Sequence, residues 1–283
     1  MVHMEPSFSS SKQNISVKNK TESTKIIECP NETVPILRNT TKYVISAQYW
    51  EKIHLNPLTA ESHGSHLDHK LKVLTMVCQL QLVDQASYAN IYVGGGVNPS
   101  LFGDVRTYSY GFWKGVNGAG CYNTLCHGFV QVSKTDPLSG PLPHLQEGGR
   151  VISVSIQQDK QTGHWWTTDI IRDGPDVHIG YWPKELFDVI GNSASIVGVT
   201  GAVQTSPSGK NPPMGNGHLP TEDDTVSAHV EYLEIIDSNY RVQGSNKYKL
   251  EKLLDNNKCY GLKDGKKTIL FKFGGSGGDS CGI

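Results

Sequence analysis

Catalysis by side chains needs acids, bases or nucleophiles held at short range. The carboxylates that could serve as a pair are Asp104 after a turn, Glu185 in a helix-like segment, and Glu231 and Glu234 in a strand-like run. Glu231 and Glu234 are three positions apart, so one flat strand turns them to opposite faces. Glu231 and Asp237 share a face but stand far apart along it. Spacing alone therefore selects no acid–base pair. His127 in CHGF and His218 in GNGHLP lie beside glycines in turn-like contexts, which reads as a structural role. The letters G-x-S-x-G occur only inside the glycine-rich run GGSGGDSCG at 274–282, which reads as a turn and not as a nucleophile elbow, and the zinc-protease pattern H-E-x-x-H is missing.

The six cysteines are at 29, 78, 121, 126, 259 and 281. Cys121 and Cys126 have the wrong spacing for a redox C-x-x-C, but they can close a small loop if their Cα atoms come within about 7 Å. Cys259 and Cys281 bracket a run ending GGSGGDSCGI, where a bridge would pin a tail with little packing of its own. The spacing allows two disulfides in an exported chain and free thiols otherwise. His127 beside Cys126 has no second ligand pair at finger spacing, so neither a metal nor another cofactor is expected. The glycine runs at 94–96 and 274–278 lack the Lys-Ser/Thr of a phosphate loop and read as turns or bulges. YGFWK, HWWTT and GYWP carry four of the five tryptophans. They read as sandwich core, or as the aromatic floor of a cleft for an extended peptide or sugar chain.

The elements that must hold these residues are mostly strands. From about Leu71 the chain alternates short apolar or β-branched runs with D-G, G-G, S-G and N-P turns, as in SYANIYV, ISVSIQQ, DVHIGYW and AHVEYLEII. Only Pro183–Val189 reads as helical there. The expected fold is all-β, an antiparallel β-sandwich with a short helix. Residues 1–27 lack periodicity and read as disordered, and residues 71–283 form the sandwich domain. Between them, residues 28–70 hold a short helix over Lys42–Glu51 and a polar linker over 59–70. The sequons at Asn14, Asn19, Asn31 and Asn39 read as chance in an Asn/Ser/Thr-rich stretch.

Lys+Arg 26 against Asp+Glu 27 leaves a formal charge of -1, which argues against a general grip on nucleic acid or acidic lipid. No run approaches the about eighteen apolar residues of a membrane span, and the first twenty residues lack the apolar core of a signal peptide. The residues do not set the oligomeric state.

Five stretches together carry a family resemblance: PSLFGD (99–104), GCYNTLCHGFVQ (120–131), TGHWW (162–166), IGYWPKELF (179–187) and MGNGH (214–218). In this order and spacing they resemble the neprosin family of plant proteins, whose founding member is a prolyl endopeptidase of the glutamic class. ECPNETVPILRNTTK (28–42) and NPLTAESHG (56–64) resemble that family's N-terminal activation region. The resemblance implies a β-sandwich with a cleft across one sheet, the disulfides Cys121–Cys126 and Cys259–Cys281, secretion, and cleavage of proline-containing peptides at acidic pH.

The family's chemistry uses two glutamates facing across the cleft, one the base for water and the other a protonated donor. Aligned on Pro99 and Phe102–Gly103–Asp104, the first glutamate position falls on Tyr92 and a nearby family tryptophan on Gly95. The second falls on Ala202 in VTGAVQT. Neither 86–101 nor 196–211 contains any Asp or Glu, so a shift of register does not restore the pair. The resemblance then implies a catalytically degenerate domain. Its aromatic cleft would draw on Tyr92, Gly95, Trp165, Trp166, Tyr181, Trp182 and His218. The alternatives are an endopeptidase using another acid pair, such as Asp104 or Glu185, and a secreted glycan- or protein-binding module. The family's stretch before its first catalytic strand is shortened here to Ser65–Leu82, and Cys78 is read as free or paired with Cys29.

Overall fold

The computed structural model describes residues 5–8, 33–34, 36, 75–83, 89–115, 118–142, 152–170, 174–188, 190–191, 193–194, 196–203, 210–223, 227–252, 254, 256–279 and 281. The side chains of 75–83 and of Asn90, Ser100 and Ile196 are not among them. The activation-like region, the Lys42–Glu51 helix, the linker, the four sequons, Cys29 and the side chain of Cys78 lie outside the described residues.

The chain forms two compact units. The first takes in Met1–Leu55, Leu80–Val93 and Ser109–Val197; the second takes in Asn56–Gln79, Gly94–Tyr108 and Gly198–Ile283. The strands are β1 (Thr75–Val83), β2 (Asn90–Val97), β3 (Tyr108–Lys114), β4 (Gly120–Tyr122), β5 (Val130–Gln131), β6 (Val154–Gln158) and β7 (Trp165–Asp169). They continue with β8 (Val177–Trp182), β9 (Ile196–Thr200), β10 (Ala228–Glu231), β11 (Glu234–Ile236), β12 (Val242–Gly244), β13 (Gly261–Asp264) and β14 (Ile269–Gly274). They form sheets in the orders β4-β3-β2-β1-β9, β5-β8-β7-β6, β10-β14-β13 and β11-β12. The sheets are antiparallel, and no helix among the described residues reaches seven residues, so the fold is all-β.

The core of the first unit lies between two sheet faces. Ile91 and Val93 of β2, Trp113 of β3 and Cys121 of β4 pack in one buried cluster with Trp165 of β7, Ile179 and Trp182 of β8, Phe129 and Leu138. Alternation along the strands produces this face, since each second residue points inward. A Cβ on Gly111 would stand 3.0 Å from both Leu138 and Trp182, so glycine here lets the two sheets approach. The register of β7 on β8 shifts between Thr167 and Thr168. Thr167 pairs with Gly180 and Thr168 with His178, leaving Ile179 as the extra residue of a bulge. The bulge lets Ile179 and Trp182, three apart, face the core together.

Helix signals met in an unexpected place. Pro183–Val189 does not form a helix; only a 3-10 turn forms, over Lys184–Leu186. Among the described residues the α-helix is α1, Pro99–Phe102. Its start is capped by Asn98, whose Oδ1 accepts from the Leu101 N–H at 3.0 Å, with proline in the first turn. Its end is Gly103 in the left-handed region at φ 87°. The N-P-S-L-F-G run therefore contains a complete start and stop.

Two further expectations are corrected. Gly94–Gly96 form no turn; they lie inside β2 and are buried. Glu231 and Glu234 do not share a strand, because Tyr232 takes φ 44° between β10 and β11, which belong to different sheets.

In the second unit the C-terminal glycines act as a strand partner. Met214 and Gly275 exchange backbone bonds, as do Asn211 and Gly278. Tyr260 is buried, and its hydroxyl donates to the Pro212 carbonyl at 2.8 Å. Cys259–Cys281 is a disulfide, with Cα atoms 5.4 Å apart, and so is Cys121–Cys126 in the first unit, at 6.1 Å.

Candidate functional site

The aromatic residues of the first unit lie on three surfaces. Trp165 and Trp182 line the core: they are cross-strand partners, and Trp165 Nε1 donates to the Ile190 carbonyl at 2.7 Å. Both are buried packing residues. A large apolar ring gains most when fully withdrawn from water, and both rings satisfy that inside the sandwich.

Tyr92 lies on the second surface, the face of β2 opposite Ile91 and Val93. Its ring stands 6.0 Å from Phe112, which stands 4.9 Å from its cross-strand partner Tyr122. Phe112 and Tyr122 are buried and Tyr92 is half-buried. Burial pushes the Tyr92 phenol above its ordinary value of 10.0. Asn123 braces the strand beneath this face, its Oδ1 accepting from the Gly111 N–H at 2.8 Å. Gly95, by the two-residue period, falls on the opposite face of β2 from Tyr92.

The third surface is the outer face of β5-β8-β7-β6. Trp166 and Tyr181 are cross-strand partners there, with rings 4.8 Å apart. His164 stacks on Tyr181 at 4.9 Å, and His178 stands edge-on to Trp166 at 6.0 Å. The His178 ring is fixed by a 2.9 Å bond between its Nδ1 and Thr168 Oγ1. Burial lowers the pKa of His178, opposed by the Asp176 and Glu5 carboxylates. Asp159 lies at the rim in the turn from β6 to β7. Its Oδ1 accepts from the N–H groups of Gln161 and Thr162 and from Thr162 Oγ1. Its Oδ2 accepts from the N–H and hydroxyl of Ser7, each at 2.5 Å.

The remaining candidates stand elsewhere. Ala202 belongs to the second unit, half-buried in the extended stretch after β9. A Cβ on its neighbour Gly201 would lie 3.1 Å from the Phe273 ring. His218, also in the second unit, is exposed at the end of a turn, its N–H donating to Asn216 Oδ1 at 3.2 Å. Asp104 is paired with Arg106 at 2.7 Å and accepts from the Tyr108 hydroxyl at 3.0 Å. Its pKa is lowered, chiefly by the Arg106 bond, so it is poorly placed to hold a proton for a leaving group. Glu185 is exposed, 4.0 Å from His164. Asp104 lies in the second unit and Glu185 in the first. Among the described residues, no three His, Cys, Asp or Glu side chains group as metal ligands, and no helix is long and apolar enough to cross a membrane.

A comparison with family models matches Neprosin over residues 75–276, well over half of the chain. The chain belongs to the neprosin family. The match opens at the first residue of β1 and closes in the glycine tail, so it spans the fourteen strands of the described residues as well as Tyr92 and Ala202. In this neprosin domain the MGNGH stretch builds structure: Gly215 and Gly217 take φ 63° and 82°, and Met214 pairs with the tail.

Asp159, His164 and His178 were not singled out from the sequence as members of one surface. The signal for Asp159 was the D-x-x-T-G spacing of a side-chain-capped turn, closed by Gly163 at φ 77°. The pKa of Asp159 is the balance of burial, which raises it, against the bonds from Ser7 and Thr162, which win and hold it at about 2. The unfolded value is about 3.9. Asp159 therefore stabilises the fold above the unfolded pKa, and that contribution is lost as pH falls through about 2. Urea midpoints from pH 6 to pH 2 should show the unaltered chain ahead of Asp159→Asn at pH 6, with the gap closing toward pH 2. A gap that stays constant would mean that Asp159 is not held ionised.

Proposed function

We propose that this neprosin domain does not hydrolyse peptides and retains binding of proline-containing peptide on the aromatic face around Tyr92. The observation that carries the reading is the Tyr92 phenol, standing where the resemblance puts the first glutamate and kept protonated by burial. A protonated phenol donates a hydrogen bond but does not take a proton from water at acidic or neutral pH. Ala202, at the second position, has no group to titrate. With no Asp or Glu in 86–101 or 196–211, neither strand region supplies a replacement. The half-buried Tyr92 ring remains, backed by the buried rings of Phe112 and Tyr122, and such a ring suits an extended chain with prolines, which loses little freedom on docking.

The two disulfides support a further part of the reading, passage through an oxidising compartment and secretion. Equilibrium dialysis against a proline-containing peptide at pH 5 should show saturable binding, with the peptide recovered at full mass. Tyr92→Ala should weaken that binding several-fold, by about 1 kcal/mol for one lost ring contact. Equal uptake by both proteins, or recovery of cleaved peptide, would count against the reading.

A further inference from the structure

We infer that the outer face of β5-β8-β7-β6, bounded by Asp159, Trp166 and His178, is a docking site for an extended segment carrying a hydroxyl residue followed by an aromatic one, and that the chain's own Glu5–Phe8 occupies it. Residues 1–27 read from sequence as disordered, yet four of them are placed by contacts of several kinds. Ser7 donates its N–H and its hydroxyl to Asp159 Oδ2, so one carboxylate oxygen reads both the backbone and the side chain of the same residue. The next residue, Phe8, puts its ring edge-on to His178 with centroids 5.8 Å apart, and Phe8 and Pro6 are both half-buried.

Asp159 is built for this task. Its Oδ1 is spent on the β6–β7 turn, which fixes the carboxylate and aims Oδ2 outward, and the residue is 1% exposed with the segment in place. A buried carboxylate oxygen without donors is costly, so the turn by itself creates a demand for a partner. The receiving rings are fixed in advance: Thr168 holds His178, and Tyr181 and His164 stack behind Trp166. On the ligand side, Pro6 locks its own φ and biases Glu5 to extended backbone, which lowers the entropy cost of docking. Because the segment is tethered, its effective concentration is of millimolar order, so a few contacts suffice. The Ser-then-aromatic pattern gives selectivity, since loss of the hydroxyl leaves Oδ2 one donor short. This face lies across the sandwich from Tyr92, so a failure here leaves the reading of the Tyr92 face untouched, and the reverse also holds.

The test uses the full chain and a fluorescein-labelled peptide of sequence MVHMEPSFSSSK. The chain carrying Ser7→Ala and Phe8→Ala, with its own segment released, should bind the peptide saturably. The unaltered chain should bind it about tenfold more weakly, the factor expected for a peptide Kd near 0.1 mM against a tether near 1 mM. The same peptide with Ser7→Ala should lose about tenfold on the released chain. Independently, chymotrypsin should cut after Phe8 about fivefold faster in Ser7→Ala than in the unaltered chain, followed by mass spectrometry. Failure of the released chain to bind the peptide, or equal cutting after Phe8 in the two proteins, would overturn the docking site. A dimer in sedimentation that Ser7→Ala with Phe8→Ala disperses would overturn occupancy by the chain's own segment.

Discussion

Replacing Trp182 by Ala should cost about 3–5 kcal/mol of folding free energy, a large part of the about 5–15 kcal/mol that holds a typical domain. Trp182 is 0% exposed. Its ring packs 4.7 Å from Phe129, and across the core it meets Gly111, where even one added carbon would stand at 3.0 Å. Removing it opens a cavity that neither sheet can close without shifting strands that other pairs hold in register. The indole Nε1 has no hydrogen-bond partner, so the loss is one of packing and apolar burial. Trp182→Phe, which keeps an aromatic ring and discards the unpaired N–H, should cost less than half as much. The urea midpoint should fall with an unchanged slope. If Trp182 instead lined an open cleft, Trp182→Ala would leave the midpoint nearly unmoved and reduce peptide binding.

The second large effect is expected at the C-terminus. Cys259 and Cys281 close a loop of 22 positions, and the chain-entropy relation gives about 3 kcal/mol for a loop of that length. Cys121 and Cys126 are five positions apart, for which the same relation gives about 2 kcal/mol. Cys259→Ser with Cys281→Ser should therefore be the more damaging pair of changes. It should also release a defined segment. The tail at 275–278 is held by two backbone exchanges with Asn211 and Met214, and glycine offers no side chain to help. Amide exchange at Gly275 and Gly278 should accelerate in the bridge-free chain, while amides of β7 and β8 should keep their protection. Equal losses from the two bridges, or unchanged exchange in the tail, would show that the ladder holds without the bridge.

Strands with one wet and one dry face were legible in the sequence, because that burial pattern is written as alternation. β6 was found through the alternation of Val154 with Ile156, and β10 through that of Val230 with Tyr232. β12 and β13 were missed: their runs VQG and GLKD are short and carry no such alternation. The aromatic segments were correctly read as strands, but which face each ring takes was not legible. Adjacent residues Trp165 and Trp166 must face opposite ways, which composition does not convey. The bulge at Ile179 also turned Tyr181 outward with His178, a change that a strict period of two would misassign. The Pro183–Val189 segment carried favourable helix residues, but after one 3-10 turn the backbone is extended at Phe187, with φ -125° and ψ 144°. Family membership was carried by short motifs built largely of glycine, tryptophan and cysteine. Several of these now have structural roles: a pinned tail, a capped turn and a bridged loop. The docked segment at Glu5–Phe8 had no periodic signal, because its partners lie more than 150 positions away.

The proposed lack of hydrolysis rests on Tyr92 and Ala202 standing where the resemblance puts the two glutamates. The most direct measurement is turnover of a proline-containing fluorogenic peptide by purified, oxidised protein from pH 3 to pH 7, against a heat-killed control. The account predicts no turnover above that control at any pH. Restoring one glutamate alone, as Tyr92→Glu or Ala202→Glu, should not create it, since a lone carboxylate lacks a proton-sharing partner. Turnover that follows the protein through two chromatographic steps and survives both Tyr92→Phe and Asp104→Asn would contradict the account and place the chemistry on another pair of residues.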